Sequence, residues 1–220
     1  MGLRGPKPKG KVKIEWSPDF AYAIGLLVTD GCLSKDGRHI DLTSVDKEQL
    51  DNFKKALGIS NSIGKKMSHE TKIGLRVQFG DVLFYQFLVS IGLTARKSKT
   101  IGKIDIPDQL FFDFLRGCLD GDGSFYSYWD PRWKSSFMFY IVLASASEDF
   151  IVWIRKELKS RLGVVGHISQ DGKQSTQQLK YAKRESLKII KNVYYSESVL
   201  CLTRKRKKIE KALREVDTEI

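Results

Sequence analysis

The chain alternates between segments with the period of a β-strand and segments with the period of an α-helix, in the same order twice. Residues 40–59, "IDLTSVDKEQLDNFKKALGI", open with a β-rich run and continue, after a polar cap, with apolar residues at helical spacing. Residues 141–164, "IVLASASEDFIVWIRKELKSRLGV", show the same order. Each segment therefore predicts a strand followed by an amphipathic helix.

The segments that follow these two helices also resemble each other. Residues 63–88, "IGKKMSHETKIGLRVQFGDVLFYQFL", and residues 165–191, "VGHISQDGKQSTQQLKYAKRESLKIIK", each predict two short strands around a polar turn and then a helix. The second copy has a longer first hairpin, because residues 127–136, "SYWDPRWKSS", have no counterpart and contain an Asp-Pro turn signal.

An apolar helix that ends in Asp-Gly precedes each copy: "AIGLLVTDG" at 23–31 and "LRGCLDGDG" at 115–123. The pattern predicts an α+β fold made of two αββαββα repeats, related by a pseudo-twofold axis. We assign residues 14–103 to the first repeat and 104–220 to the second. Residues 1–13 are rich in Gly, Pro and Lys and predict a flexible basic arm.

Small residues recur every four positions on the two Asp-Gly helices, where they would let two helix backbones approach closely. The steps of four are Ala21, Gly25 and Thr29 in the first helix, and Asp113, Gly117 and Gly121 in the second. If these faces meet, Asp30 and Asp122 emerge side by side. We expect Gly31 and Gly123 to end the helices in the left-handed conformation that is common there.

Two carboxylates at adjacent helix C-termini repel each other and the helix dipoles. Divalent cations would remove that cost, and Mg²⁺ suits an open site of oxygen ligands that a phosphate completes. The alternative is that Asp30 and Asp122 are only turn residues, since Asp-Gly is a common turn signal. Asp120 aligns with Val28, so we interpret it as a polar helix residue and not as a metal ligand.

The charge balance points to a polyanionic partner. The 220 residues include 38 Lys and Arg against 26 Asp and Glu, a net charge of +12, and such a surface attracts phosphate backbones. No apolar run has the length of a membrane span, and the N-terminal residues lack the apolar core of a secretory signal. We expect an intracellular protein of a prokaryotic cytoplasm or an organelle, with reduced core thiols at Cys32, Cys118 and Cys201.

The twin motif and the repeated αββαββα order resemble the LAGLIDADG homing endonucleases, in their single-chain form with two motif copies. The resemblance implies a monomer with the two motif helices at its centre and two curved antiparallel sheets that form a DNA-binding saddle. It makes Asp30 and Asp122 the metal-binding acids. The preceding residues, Thr29 and Gly121, would lend backbone carbonyls to the metal.

Further site residues follow from the same resemblance. A basic residue late in each repeat, here Lys97 and Lys205, would stabilise charge at the cleaved phosphates. The alternative is that these lysines only bind phosphate at the surface. A polar residue at the end of the first long strand would order water, and Ser44 and Ser145 fall at that place, where many relatives have glutamine.

Polar side chains on the strands and turns are the candidates for DNA contact. In "GLRVQF" the alternation predicts an apolar inward face and an outward face with Arg76 and Gln78. On the second sheet we predict outward residues at His167, Gln170, Gln177 and Lys180. Other basic residues are expected at phosphates: Lys35, Arg38, Lys65, Lys66, Arg132 and Lys134. Because the two halves differ at these positions, the predicted DNA target is long and asymmetric.

The resemblance implies a Mg²⁺-dependent double-strand break with short 3′ overhangs, for which Mn²⁺ or Ca²⁺ would replace Mg²⁺ in binding. Two alternatives keep the same fold. One is a maturase that binds intron RNA as a splicing cofactor, and the other is a transcription regulator that has lost the chemistry. Retained Asp30 and Asp122 favour cleavage. No histidine spacing indicates a zinc or HNH site.

Overall fold

The computed structural model describes residues 10–67, 73–170 and 176–216. The first repeat contains seven elements: α1 (Pro18–Thr29), β1 (Gly31–Leu33), β2 (His39–Ser44), α2 (Lys47–Leu57), β3 (Ile63–Met67), β4 (Ile73–Gly80) and α3 (Val82–Ser90). The second contains the same seven: α4 (Phe111–Gly121), β5 (Gly123–Trp129), β6 (Phe137–Ser145), α5 (Glu148–Leu162), β7 (His167–Gln170), β8 (Gln177–Ala182) and α6 (Lys183–Val193). The predicted α+β fold of two αββαββα repeats is confirmed.

Each repeat folds its four strands into one antiparallel sheet. The strand order is β1-β2-β4-β3 in the first sheet and β5-β6-β8-β7 in the second. The long central pair is matched in the two copies, with Ser44 opposite Leu75 and Ser145 opposite Gln177 at equivalent ends. One face of each sheet packs on the helices of its own repeat, which leaves the other face free.

Helices α1 and α4 cross at the centre of the molecule, where glycines face each other. A Cβ atom on Gly25 would collide with the carbonyl oxygen of Phe114 and lie 2.9 Å from the Cys118 nitrogen. A Cβ atom on Gly117 would collide with the carbonyl oxygen of Tyr22. The predicted contact along the small-residue faces is therefore confirmed, and it joins the two repeats into one core.

The ends of these helices differ from the expectation for Gly31 and Gly123. Neither residue has a positive φ; the helices end at Asp30 (φ −93°) and Asp122 (φ −91°) in ordinary right-handed or bridging conformations. Glycine is required for a steric reason instead. A Cβ atom on Gly31 would lie 2.6 Å from the Leu27 carbonyl oxygen, and one on Gly123 would lie 2.5 Å from that of Leu119. The chain turns so sharply from helix into strand that no side chain fits.

Four details depart from the sequence-based expectations or lie outside the described residues. A further helix, α7 (Thr203–Arg214), follows α6 within the residues assigned to the second repeat. The predicted arm is described only from residue 10. Within it Val12 is buried, and its backbone N–H donates to Asp81 Oδ2 at 3.0 Å. Of the three thiols predicted to be in the core, Cys32 is exposed. The polar turns predicted at 68–72 and 171–175 lie outside the described residues.

None of the helices in the described part of the chain has the length and apolar character needed to cross a membrane.

Candidate active site

Asp30 and Asp122 are brought together where α1 and α4 end. Asp30 is half-buried and Asp122 is exposed to solvent. A Cβ atom on Gly121 would lie 2.9 Å from Asp30 Oδ2, which shows how closely the end of α4 approaches the carboxylate that follows α1. The two acids therefore share one site, built by both repeats, as the repeat pattern predicts.

The electrostatics of this pair disfavour two bare negative charges. Surrounding protein displaces water from both carboxylates, and this desolvation is the main reason that the pKa of each is raised. The negative charge of Asp30 raises the pKa of Asp122 further. Lys97 and Lys205 act in the opposite direction on both acids. A cation bound between the two carboxylates would favour the charged form of both.

The two predicted lysines lie at the ends of α1 and α4, and both interact electrostatically with the two carboxylates. Lys97, only 7% exposed, donates from Nζ to the Thr29 carbonyl oxygen at 3.1 Å. Lys205 Nζ donates to the carbonyl oxygens of Leu119 at 2.6 Å, Asp120 at 2.7 Å, Gly121 at 3.4 Å and Gly123 at 2.7 Å. All of these oxygens except that of Gly123, the first residue of β5, belong to the last turn of α1 or α4, where carbonyl groups have no intrahelical donors. Each ammonium group therefore caps the helix whose following residue is a site carboxylate.

The surroundings of Lys97 and Lys205 disfavour the charged form of their ammonium groups. Burial is the main cause that lowers the pKa of Lys97 and of Lys205, and the acids of the site oppose that shift. An anion such as a phosphate in the site would restore the balance by adding negative charge near both ammonium groups. The arrangement of two acids beside two lysines suits a bound cation and a bound phosphate together.

Ser44 is placed at the site, although not in contact with a carboxylate. Its hydroxyl donates to Gln49 Oε1 at 2.7 Å, and Gln49 Nε2 donates to Asp30 Oδ2 at 2.5 Å. Gln49 is buried at the third residue of α2. The sequence analysis missed Gln49, because Asp46 followed three residues later by glutamine is the ordinary signal of a helix cap. A surface concavity next to it is lined by Asp30, Ser44, Gln49, Gly121 and Arg204.

Among the described residues, the second repeat has no counterpart of this hydrogen-bonded chain. There Ser145 accepts the backbone N–H of Ser147, at 3.1 Å, and makes no side-chain hydrogen bond. The third residue of α5 is Phe150, which is buried in the core and has no polar group to offer. Asp122 therefore lacks the side-chain amide that orients Asp30. The two halves of the site are chemically different.

Asp120 is buried, and its carboxylate is held by groups other than the two site acids. Its Oδ2 accepts from the Tyr22 hydroxyl at 2.8 Å and from the Leu202 N–H at 2.8 Å. Its Oδ1 is buried without a hydrogen-bond partner among the described residues. Desolvation raises the pKa of Asp120 to about 6. Asp120 links α1 to the residue just before α7, so it holds the helix that carries Lys205.

Helix α7 is held across the boundary between the repeats. Glu48 of α2 accepts the Thr203 N–H at 3.1 Å and so caps the N-terminus of α7. Arg204 Nε donates to Asp46 Oδ2 at 2.7 Å, and Asn52 donates to the Cys201 carbonyl at 2.9 Å. These contacts fix the position of Lys205 relative to Asp30, which belongs to the other repeat.

The donor set at this site fits a hard divalent cation through Asp30 and Asp122. No group of three or more His, Cys, Asp or Glu side chains within the described ranges could hold a metal ion alone. Two oxygen donors with open solvent access suit Mg²⁺, which keeps waters and takes phosphate oxygens. The carbonyls of Thr29 and Gly121 already accept hydrogen bonds from the two lysines, so the carboxylates are the better donors.

The outward face of the first sheet carries three of the predicted DNA-contact residues: Lys66, Arg76 and Gln78. Arg76 is opposite Thr43 and Gln78 is opposite Asp41 on this face, while Val77 and Phe79 are buried. Lys66 lies on the same face, with Nζ 3.2 Å from Thr43 Oγ1. The other predicted residues of this repeat, Lys35, Arg38 and Lys65, are exposed to solvent. Lys65 is in register with Leu75, so it lies on the opposite face of the sheet from Arg76 and Gln78.

The second sheet corrects two of the predicted outward residues. His167 pairs with Lys180, and Lys180 pairs with Val142, so these three residues lie on the outward face. Gln170 pairs with Gln177, which is in register with Ser145 and therefore has the orientation of the core-facing row. Residues three apart on a strand point to opposite faces, so the four could not share one. The outward positions beside Lys180 and His167 are instead Gln178 and Ser169.

The extra hairpin of the second repeat presents Arg132 and Lys134, which are both exposed. Arg132 is close to Asp130, with Nε 3.4 Å from Oδ1, in the turn between β5 and β6. A surface pair of this kind contributes little to stability, so the guanidinium stays available to a phosphate.

Comparison with known proteins supports the architecture. Residues 112–199 match the sequence profile of the family described as "LAGLIDADG-like domain". No curated protein sequence matches the chain. The homing endonuclease I-WcaI bound to its DNA recognition sequence has the same fold, with a TM-score of 0.62, 15% identity, and coverage of 94% of this chain and 96% of that one.

Two other solved structures extend the comparison. The meganuclease I-SmaMI bound to uncleavable DNA aligns with a TM-score of 0.58 and 15% identity over 94% of this chain and 91% of that one. The N-terminal LAGLIDADG domain of DUF199/WhiA aligns with a TM-score of 0.55 and 18% identity over 90% and 88%. The chain thus contains a LAGLIDADG-like domain at residues 112–199 and has, over nearly its whole length, the fold of the single-chain LAGLIDADG homing endonucleases.

Proposed function

We propose that this protein is a site-specific endonuclease that makes a metal-dependent double-strand break in a long, asymmetric DNA target and leaves short 3′ overhangs. It would act as a monomer whose two repeats each serve one strand. The observation that carries the proposal is the meeting of Asp30 and Asp122 at the ends of crossed helices, with Lys97 and Lys205 beside them. A structural role would not need two acids whose charges oppose each other.

The chain's own residues supply binding, orientation and charge. Asp30 and Asp122 would hold Mg²⁺, which supplies Lewis-acid stabilisation of the phosphodiester and a more acidic water when bound. Lys97 and Lys205 would stabilise the negative charge that develops on the phosphate oxygens. Ser44 and Gln49 keep Asp30 in one orientation, and Ser145 would order water near the other strand.

The two sheets would hold the duplex above this site. Arg76, Gln78 and Lys180 have side chains that suit base edges in the major groove, where donor and acceptor patterns differ between base pairs. The exposed basic residues would meet phosphates, which fix the register of the duplex without reading its sequence. This group comprises Lys35, Arg38, Lys66, Arg132 and Lys134, and excludes Lys65, which lies on the opposite face of the first sheet. The net charge of +12 supports a polyanionic partner.

The function can be tested without knowledge of the target. A library of randomised duplexes is incubated with the protein and Mg²⁺, and the cleaved ends are sequenced. We expect one long motif, cut on both strands at a fixed stagger. Absence of any cut sequence, with folded protein and Mg²⁺ or Mn²⁺ present, would reject the proposed activity.

Gln49 provides a prediction that depends on the asymmetry of the site. We expect Gln49→Leu to slow cleavage of one strand about tenfold, because a hydrogen bond to a charged group contributes about 1.5–3 kcal/mol. Nicked plasmid should accumulate before linear plasmid appears, and end-labelled duplexes should show the same strand affected every time.

The control for this variant is Gln86→Leu, which makes the same substitution on the exposed surface of α3. It should cut both strands like the parent protein. If Gln49→Leu slowed both strands equally, or neither, Gln49 would not be an orienting residue for Asp30.

A binding-only role on the same scaffold, as in a regulator that has lost the chemistry, is the alternative. Such a protein needs the saddle but neither carboxylate. The buried Lys97, the partly buried Lys205 and the Gln49 contact to Asp30 favour the endonuclease, because these groups lie beside the acids. Specific binding to one duplex without cleavage under any divalent cation would support the alternative.

A further inference from the structure

The outward faces of the two sheets have different chemistry. On the first sheet the face is polar and charged, with the register placing Asp41, Thr43, Lys66, Arg76 and Gln78 on it. On the second sheet the corresponding face has two parts. The first two strands form a mainly apolar and aromatic part, with Ser124, Tyr126, Tyr128, Met138, Tyr140, Val142 and Ala144, and β7 and β8 form a polar part, with His167, Ser169, Gln178 and Lys180. Two halves of one saddle would therefore recognise different features of a duplex.

Three tyrosines form the centre of the second face, and we refer to Tyr126, Tyr128 and Tyr140 as the tyrosine cluster. Their rings are nearly parallel, with interplanar angles of 9–20° and centroid distances of 5.1–6.4 Å. Tyr128 is the most accessible, at 41% exposed. Packing of the rings against each other removes rotamer freedom, so the cluster presents a preformed surface to a ligand.

The ring faces are largely used within the protein. Tyr126 and Tyr140 stack on each other at 5.1 Å, and the Lys180 ammonium lies 5.7 Å and 6.0 Å from their centroids. Stacking of unpaired bases needs a free aromatic face. A duplex that offers its groove edges needs only ring edges, hydroxyls and the neighbouring apolar side chains. The arrangement favours double-stranded DNA over a single strand as the ligand.

Only one group in the major groove is apolar and protrudes, and that group is the C5 methyl of thymine. An apolar protein surface gains binding free energy in the major groove only where it covers such methyl groups. Covering the other base edges would remove water from polar atoms without replacing their hydrogen bonds. We propose that the tyrosine cluster reads thymine methyl groups, so that the half-site under the second sheet is thymine-rich while the other half-site is read by polar contacts. This inference rests on the proposed function, since it assumes that both sheets hold one duplex.

The competing explanation is that the tyrosines only stabilise the long β5-β6 hairpin, since cross-strand aromatic pairs do so. A thymine-to-deoxyuridine exchange separates the two. Deoxyuridine lacks only the methyl group and keeps every hydrogen-bonding atom. A structural cluster would not respond to it.

The experiment begins with selection of duplexes by binding, in the absence of divalent cations, from a randomised library. A DNA-cleaving reagent attached to the exposed Cys32, in a Cys201→Ser background, marks the half-site under the first sheet. Affinities are then measured for duplexes that carry deoxyuridine in one half-site only. We expect about a fourfold loss for each contacted thymine under the second sheet, as for burial of one methyl-sized group, and little loss under the first.

A double-mutant cycle completes the test. The Tyr128→Ser variant should bind the thymine duplex more weakly than the parent protein does, and its affinity should no longer fall when deoxyuridine replaces thymine. The matched first-sheet variant Gln78→Ala should still lose affinity on that replacement. Thermal melting checks that both variants fold. A second half-site without thymine, equal deoxyuridine effects in both halves, or equal weakening of both duplexes by Tyr128→Ser would overturn the inference.

The outcomes separate this inference from the proposed function. Cleavage with Mg²⁺ but no deoxyuridine effect would overturn only the reading of methyl groups. A deoxyuridine effect on binding with no cleavage would overturn only the endonuclease. Failure to enrich any duplex would overturn both the endonuclease and the reading of methyl groups. Both would also be overturned if an unstructured RNA competed for the outward face of the second sheet and bound more weakly to the Tyr128→Ser variant.

Discussion

Replacement of either site acid by its amide should abolish the double-strand break while DNA stays bound. We expect Asp30→Asn or Asp122→Asn to lower the rate of plasmid linearisation on the order of a thousandfold, comparable to the loss of other preorganised charged groups. An amide keeps the shape of the carboxylate but not its charge, so it cannot hold a divalent cation as well. DNA affinity should be kept or slightly increased, because a negative charge near the phosphates is removed.

The matched control for these variants is Asp51→Asn. Asp51 is an exposed residue of α2 whose carboxylate pairs with Lys47 at the surface, at 2.6 Å. Such pairs contribute little, so this variant should cut DNA like the parent protein. Linearisation by both Asp30→Asn and Asp122→Asn at the parent rate would remove the carboxylates from the mechanism.

The crossing of α1 and α4 should be the part of the fold least tolerant of added volume. We expect Gly25→Ala or Gly117→Ala to lower the free energy of unfolding by about 3 kcal/mol or more, at or above the upper end of typical overpacking costs. Each new methyl group would meet main-chain atoms of the opposite helix, such as the Phe114 carbonyl, which cannot move without displacing the whole helix. In a protein of this size the melting temperature should fall by roughly 6–12 °C.

Gly102→Ala is the control for the change in backbone freedom that any glycine-to-alanine substitution causes. Its φ is not positive and its Cβ atom would find nothing closer than Asp149 Cβ, at 3.9 Å. This variant should melt close to the parent protein. If Gly25→Ala and Gly117→Ala also melted within about 2 °C of it, the close approach of the two helices would be contradicted.

Repetition in the sequence is why the fold and the centre of the site could be predicted. A single Asp-Gly ending is an ordinary turn signal, but two in matching contexts indicate a shared position. The structure places Asp30 and Asp122 together and puts Lys97 and Lys205 beside them. The alignment of the repeats was sufficient for the two acids, because each directly follows its helix. The two lysines were predicted from the resemblance to the LAGLIDADG family.

Features that differ between the repeats could not be predicted in this way. Gln49 has no polar counterpart, because Phe150 takes its place. The orientation of Gln170 and Gln177 depended on where β7 and β8 begin, and one residue of uncertainty in a strand exchanges its two faces. The tyrosine cluster lies in the hairpin that only the second repeat has in its long form. Asymmetry of this kind becomes visible only through tertiary contacts.

The most direct test of the central claim is anomalous diffraction from Mn²⁺ in crystals of this protein bound to its selected DNA target. The account predicts anomalous peaks within coordination distance of the Asp30 and Asp122 carboxylates and of the scissile phosphates, and their loss in the Asp30→Asn, Asp122→Asn double variant. Peaks elsewhere on the protein, or fully ordered DNA across the saddle with no Mn²⁺ at the two acids, would contradict it.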